Sequence, residues 1–188
     1  MEHFYSNSPS HTRLVFDPKA FRQVVLDTAK TIKILQKQLN FTTLAGCGNS
    51  GLPILGALQF ELGLPIITIR KKSEAPVCGE LAPRATGGVA CDKYLIVEDC
   101  IATGGTVQHI VNTIVSEIKA FKESWKTHPS PPGETRIALA RDPKCVGVLL
   151  YDTTYLNEIE VDLAVPAYFV YGPEGSLQIT KPEILDRY

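Results

Sequence analysis

Apolar side chains at Phe21, Val24, Val25, Ile32, Leu35 and Leu39 recur at helical spacing, which predicts an amphipathic helix with one stripe turned toward a core. Asp17-Pro18 ahead of it offers an N-cap and then a proline at the first helical position, where a missing N–H is harmless. The pattern then switches. Thr42–Gly46 is a short apolar run, read as a strand, and Cys47-Gly48-Asn49-Ser50-Gly51 follows as a turn. Leu52–Leu62 reads as a helix with Pro53 in its first turn and Gly63 as its stop. Pro65–Ile69 is β-branched and suits a buried strand ending at Arg70-Lys71-Lys72. Tyr94–Val97 and Val146–Tyr151 are further buried strands, and Val161–Tyr171 contains one or two more. Between them Val107, Ile110, Val111, Ile114, Val115 and Ile118 make a second helical stripe. Strands alternating with helices predict an α/β domain whose central, mainly parallel sheet is flanked by helices.

Two stretches break the periodicity. Ser73–Asp92 is rich in Gly, Pro, Ala and charge, and reads as a long loop with room for a short hairpin. Loops of that length inside a compact domain are often functional lids. His128–Gly133 is a proline-rich surface connector. With 188 residues, 44% of them hydrophobic, and no internal repeat, the chain fits one domain, its core over about 17–160 and a small appendage near the C-terminus. A net charge of −1 gives no electrostatic footprint for nucleic acid or anionic lipid, so neither is an expected partner. No apolar run is long enough for a membrane span, and the polar N-terminus with an acid at position two has no signal-peptide pattern. Five cysteines without a CxxC pair suit thiols in a reducing cytosol, hence a cytoplasmic protein. The four histidines show no zinc spacing either.

The candidate chemistry is concentrated in Tyr94–Thr106 (YLIVEDCIATGGT). An apolar strand delivers two adjacent acids, Glu98 and Asp99, to its carboxyl end. Ala102-Thr103-Gly104-Gly105-Thr106 then turns tightly into a helix. Glycines let backbone N–H groups converge, the helix start adds partial positive charge and the threonine hydroxyls add donors, which together make a cradle for a phosphate monoester. Vicinal sugar hydroxyls suit the acids, so a ribose 5-phosphate satisfies both halves. The pattern is neither a GxxxxGK[ST] phosphate loop nor a GxGxxG dinucleotide fingerprint.

VEDCIATGGT closely resembles the PRPP-binding motif of the type I phosphoribosyltransferases. LAGCGNSGLP after the first core strand looks like that family's pyrophosphate loop, and PIITIRKK looks like the strand before its mobile catalytic loop. The resemblance implies that Glu98 and Asp99 hold the ribose hydroxyls and that Ala102 to Thr106 hold the 5-phosphate. It implies that Gly48, Asn49, Ser50 and Gly51 offer backbone N–H groups to pyrophosphate, with Arg70, Lys71, Lys72 and Arg84 neutralising its charge. Mg²⁺ is the implied cofactor, held mainly through substrate oxygens with Glu98 and Asp99 acting indirectly. The implied fold adds a small hood, from about 161–188 plus part of the N-terminus. PRPP and a nucleobase are the implied partners, and a homodimer the implied assembly.

The base is less sharply marked. Where the hypoxanthine–guanine branch has an aspartate, this sequence has Ala102, as adenine and some xanthine enzymes do. The acid Glu80 is the candidate to handle the proton, alongside Lys71, Lys72 and Asp99 as catalytic residues. Val165–Gly172 resembles the hood segment of 6-oxopurine enzymes, with Tyr168 near the position of their lysine. Tyr168, Phe169 and Tyr171, with Ile101, are candidates to bind the base, or else alternate between core and surface of one strand. A purine is the expected substrate, adenine slightly ahead. Orotate or another pyrimidine is the alternative, and a PRPP-sensing regulator without turnover the alternative from another class.

Overall fold

The computed structural model describes residues 17–71, 85–87, 91–99, 101, 103–125, 142–152, 165–170 and 178–180. Helix α1 (Pro18–Leu39) starts where the sequence places it. The Asp17 carboxylate accepts from the N–H groups of Lys19 at 2.9 Å and Ala20 at 3.3 Å, satisfying donors that a helix start leaves open. Asn40 closes α1 in the left-handed conformation, its N–H bonded to the Gln36 carbonyl. Strand β1 (Thr43–Cys47), helix α2 (Gly48–Leu62) and strand β2 (Ile66–Ile69) follow. The short strand β3 (Ala85–Gly87) precedes β4 (Lys93–Glu98) and helix α3 (Gly105–Trp125). Strands β5 (Lys144–Leu150), β6 (Ala167–Phe169) and β7 (Gln178–Thr180) complete the order.

Among the described residues the strands form one seven-stranded sheet in the order β3-β2-β1-β4-β5-β6-β7. The central five are parallel, with Leu44 opposite Ile66, Ala45 opposite Ile96 and Leu150 opposite Phe169. The edge strands β3 and β7 pair antiparallel to β2 and β6. Helices cover both faces of the sheet, so its strands are apolar throughout rather than alternating. Along β4, Tyr94 and Ile96 join Ile110, Ile114 and Ile118 of α3 in one core. Leu95 and Val97 turn the other way, to Ile32 and Leu35 of α1 and Ile54, Leu55 and Leu58 of α2. This is the doubly covered α/β sheet that the alternating pattern predicts. Among the described residues no helix is long and apolar enough to cross a membrane.

Four details differ from the sequence reading. Helix α2 begins at Gly48 rather than Leu52, because the turn is compressed into Gly48 itself, with φ +66°. Pro53 consequently lies inside the helix, past its first turn. Helix α3 continues past its apolar stripe to Trp125, where Lys122 pairs with Asp142 at 2.8 Å just before β5. Segment 167–169 joins the main sheet beside β5, and β7 extends it further. In the stretch read as a long loop, β3 returns antiparallel along β2, a strand that precedes that stretch.

Candidate functional site

The chain leaves β1 through α2 to reach β2 on one side, and leaves β4 through α3 to reach β5 on the other. The carboxyl ends of β1 and β4 therefore flank the point where the winding reverses, the crevice at which open α/β sheets take ligands. Glu98 ends β4 there. Its Oε1 accepts the backbone N–H of Cys47, the last residue of β1, at 3.2 Å. Glu98 and Asp99 are 3% and 5% exposed, so the acid pair is held inside the crevice floor rather than solvated. Burial first, and then the neighbouring Asp99 carboxylate, push the Glu98 pKa up to about 8, against the opposing pull of the Cys47 N–H and the Lys71 ammonium.

One lip of the crevice is Gly48 with Lys71. A Cβ added at Gly48 would run into Cε of Lys71, so the lysine stem lies directly over the start of α2. Only a residue without a side chain leaves that path open, and the left-handed φ favours glycine as well. Gly46, one residue before the end of β1, is equally confined: a Cβ there would sit 3.0 Å from the Val97 carbonyl oxygen. That close approach lets β1 and β4 bring their ends together.

The other lip is the start of α3. Gly104 has φ +73°, and the first helical hydrogen bond runs from the Gln108 N–H to its carbonyl at 3.0 Å. Thr103 Oγ1 accepts the Gly105 N–H at 3.4 Å. Thr103, Gly105 and Thr106 are exposed, so N–H groups and hydroxyls at the positive end of a 21-residue helix face solvent. An anion is the natural ligand of such an end.

The structure thus brings together Glu98, Asp99, the Gly48–Gly51 backbone, Lys71 and Thr103 to Thr106. Arg70, half-buried, stands next to Lys71 at the end of β2. Lys72, Glu80, Arg84, Ala102 and Tyr171 lie outside the described residues, as do the side chains of Asn49 and Ser50. Ile101 and Phe169 share the α3 face of the sheet. Tyr168 does not join them. It lies in the core on the opposite face, its ring packed over Gly147, where a Cβ would collide with it. The reason is strand geometry, since neighbouring residues of β6 point to opposite faces.

Two residues went unnoticed in the sequence. Asp152, 4% exposed, follows β5, and its N–H bonds to the Asp99 carbonyl at 3.1 Å. Leu149-Leu150-Tyr151-Asp152 repeats the apolar-strand-then-acid pattern of Leu95–Asp99 and could have pointed to it. His109 on α3 bonds the Arg70 carbonyl, a link across 39 residues of chain that no local pattern signals. Among the described residues no group of three or more His, Cys, Asp or Glu side chains is placed to hold a metal ion. The carboxylates of Glu98 and Asp99 are nevertheless hard oxygen donors beside an anion-binding loop, which fits Mg²⁺ shared with a bound phosphate ester.

The family model described as phosphoribosyl transferase domain matches residues 19–120, more than half of the chain. The chain belongs to this family. The matched span of the phosphoribosyl transferase domain runs from α1 into α3 and so includes both lips of the crevice. The chain is 31% identical to adenine phosphoribosyltransferase of Parvibaculum lavamentivorans over 115 residues, 55% of this chain and 63% of that protein. It is 36% identical to orotate phosphoribosyltransferase of Pyrococcus horikoshii over 97 residues, 50% of this chain and 48% of that protein. These matches span less than two thirds of the relatives' own length. Among solved structures, adenine phosphoribosyltransferase of Saccharomyces cerevisiae superposes with a TM-score of 0.52 at 14% identity, over 84% of this chain and 82% of that one. That likeness supports the phosphoribosyl transferase fold.

Proposed function

We propose that this chain is a PRPP-dependent nucleobase phosphoribosyltransferase, joining the 5-phosphoribosyl group to a free purine, adenine ahead of the others, with release of pyrophosphate. The observation that carries the reading is the buried Glu98–Asp99 pair lying between two anion-accepting lips. The backbone and hydroxyls of Thr103 to Thr106 receive the 5-phosphate, and the acid pair accepts hydrogen bonds from the ribose hydroxyls. The start of α2 and Lys71, with Arg70, Lys72 and Arg84, receive the pyrophosphate. Ile101 and Phe169, which share the α3 face of the sheet, are proposed for the base side together with Tyr171, whereas Tyr168 faces the other way.

The reaction breaks the C1–oxygen bond, whose electron pair leaves with pyrophosphate, while a ring nitrogen of the base donates its lone pair to C1. The base then gives up its N–H proton, for which Glu80 is the proposed acceptor. Charge grows on the leaving group, and donors held in place before reaction stabilise it without reorganisation. Glu98 and Asp99 would help hold Mg²⁺ indirectly, the ion being bound mainly through PRPP oxygens, and it would neutralise part of that charge. On the family resemblance, the Ser73–Asp92 stretch is proposed to cover C1 and keep water from it. Cys91 and Cys145 are thiols, in keeping with work in a reducing cytoplasm, and a homodimer is proposed on the family resemblance.

The test is pyrophosphate release from PRPP and Mg²⁺ with adenine, hypoxanthine, guanine, xanthine, orotate and uracil, with Asp99→Asn as control. Base-dependent release that the variant abolishes supports the transferase and identifies its base. The orotate relative favours a second reading as an orotate enzyme, which release with orotate alone would select. Tight PRPP binding without release for any base would select a regulator instead.

A further inference from the structure

His109 stands one turn into α3, beyond the loop proposed for the 5-phosphate. Its Nε2 lies 2.9 Å from the Arg70 carbonyl oxygen. A carbonyl only accepts, so Nε2 carries the proton. Nδ1 lies 3.4 Å from Oγ1 of Thr113, one turn further along the helix. Thr113 is 7% exposed and His109 half-buried, so the ring is held on both sides. The Arg70 carbonyl belongs to the peptide that leads directly into Lys71, and β2 itself ends at Ile69. The register of β2 with β1 and that with β3 both end at Ile69, one residue before that peptide.

We infer that His109 is a positioning residue. It ties the helix that receives the 5-phosphate to the peptide from which Lys71 reaches over Gly48. The distance between the two anion-binding lips is then set by one side chain as well as by the sheet. This rests on the functional reading above, in which the two lips hold the two ends of PRPP. It assigns to His109 no contact with substrate.

The experiment compares His109→Ala, His109→Gln and His109→Glu with the wild-type chain. Gln carries an N–H donor at about the reach of Nε2, whereas Glu has similar length and only accepts. Steady-state pyrophosphate release should show the KM for PRPP raised about tenfold in the Ala and Glu variants, roughly the effect of one lost hydrogen bond to a positioned group. The KM for the base and kcat should stay within about twofold, and Gln should restore the wild-type KM. Thr113→Val, which keeps the shape and removes the hydroxyl, should move the KM the same way by a smaller factor. Amide hydrogen exchange at residues 70–71 of the ligand-free chain is the second readout. Faster exchange in Ala and Glu but not in Gln supports the clamp. A Gln variant no better than Ala, or unchanged KM and exchange in all variants, overturns it. Should the wild-type chain release no pyrophosphate with any base, the transferase reading fails, and exchange alone decides whether His109 holds the peptide.

Discussion

Glu98 of β4 and Cys47 of β1 are joined across the crevice, the carboxylate accepting the backbone N–H at 3.2 Å. One hydrogen bond does not offset the burial of a charge beside another carboxylate, so the folded state favours the protonated acid. The folded pKa of about 8 exceeds the ordinary value of 4.5. Between these values the folded chain binds more protons than the unfolded one, so stability falls as pH rises through that window and levels off above it. Glu98→Gln keeps an acceptor for the Cys47 N–H and removes the proton. Denaturant unfolding of the ligand-free chain from pH 5 to pH 9 should show the gap in stability shifting in favour of the variant as pH rises. A pH-independent gap would contradict the raised pKa.

Gly48 and Lys71 share one volume, and Gly48→Ala would oppose both the left-handed φ and the lysine stem. The backbone part alone costs about 1–2 kcal/mol. We expect a drop in thermal midpoint and a larger loss in affinity for PRPP, since Lys71 is displaced as well. Titration calorimetry with PRPP and Mg²⁺ checks the second effect.

Gly46 and Gly56 make a matched contrast. A Cβ at Gly46 meets Leu55 Cδ1 at 2.8 Å and the Val97 carbonyl at 3.0 Å, while one at Gly56 meets nothing within 4 Å. Gly56 is exposed on α2, where alanine is favoured by about 0.5–1 kcal/mol. Gly56→Ala should raise the denaturation midpoint and Gly46→Ala lower it, and a common direction would refute the contrast.

The Thr28 hydroxyl is fully buried in α1 with no hydrogen-bond partner among the described residues. Valine has the same shape without the unsatisfied group, so Thr28→Val should stabilise the chain by about 1 kcal/mol. Equilibrium unfolding in urea measures it, and a loss of stability would mean that the hydroxyl is satisfied in solution.

The parallel sheet, both long helices and the Glu98–Thr106 segment were legible in the sequence because each is carried by local pattern. Strand β4 reads as an apolar run, α3 as a stripe, and the acids and glycines as a contiguous motif. The start of α2 was misplaced because Gly48 makes the whole turn, and a single left-handed residue leaves no composition signal. Strand β7 was missed because Gln178-Ile179-Thr180 is too short for a period to appear. Tyr168 and Phe169 looked alike as aromatic neighbours, yet the pleat sends them to opposite faces. Asp152 and His109 matter only through partners distant in sequence, which no one-dimensional pattern records.

Both outer strands of the sheet, β3 and β7, are three residues long and run against their neighbours. Among the described residues, an incoming chain seeking to add itself to either side meets a ladder three residues deep, in the opposite sense to the parallel interior. Short edges of this kind are poor templates for strand addition. Among the described residues the sheet therefore ends in margins that offer a strand from outside little to extend.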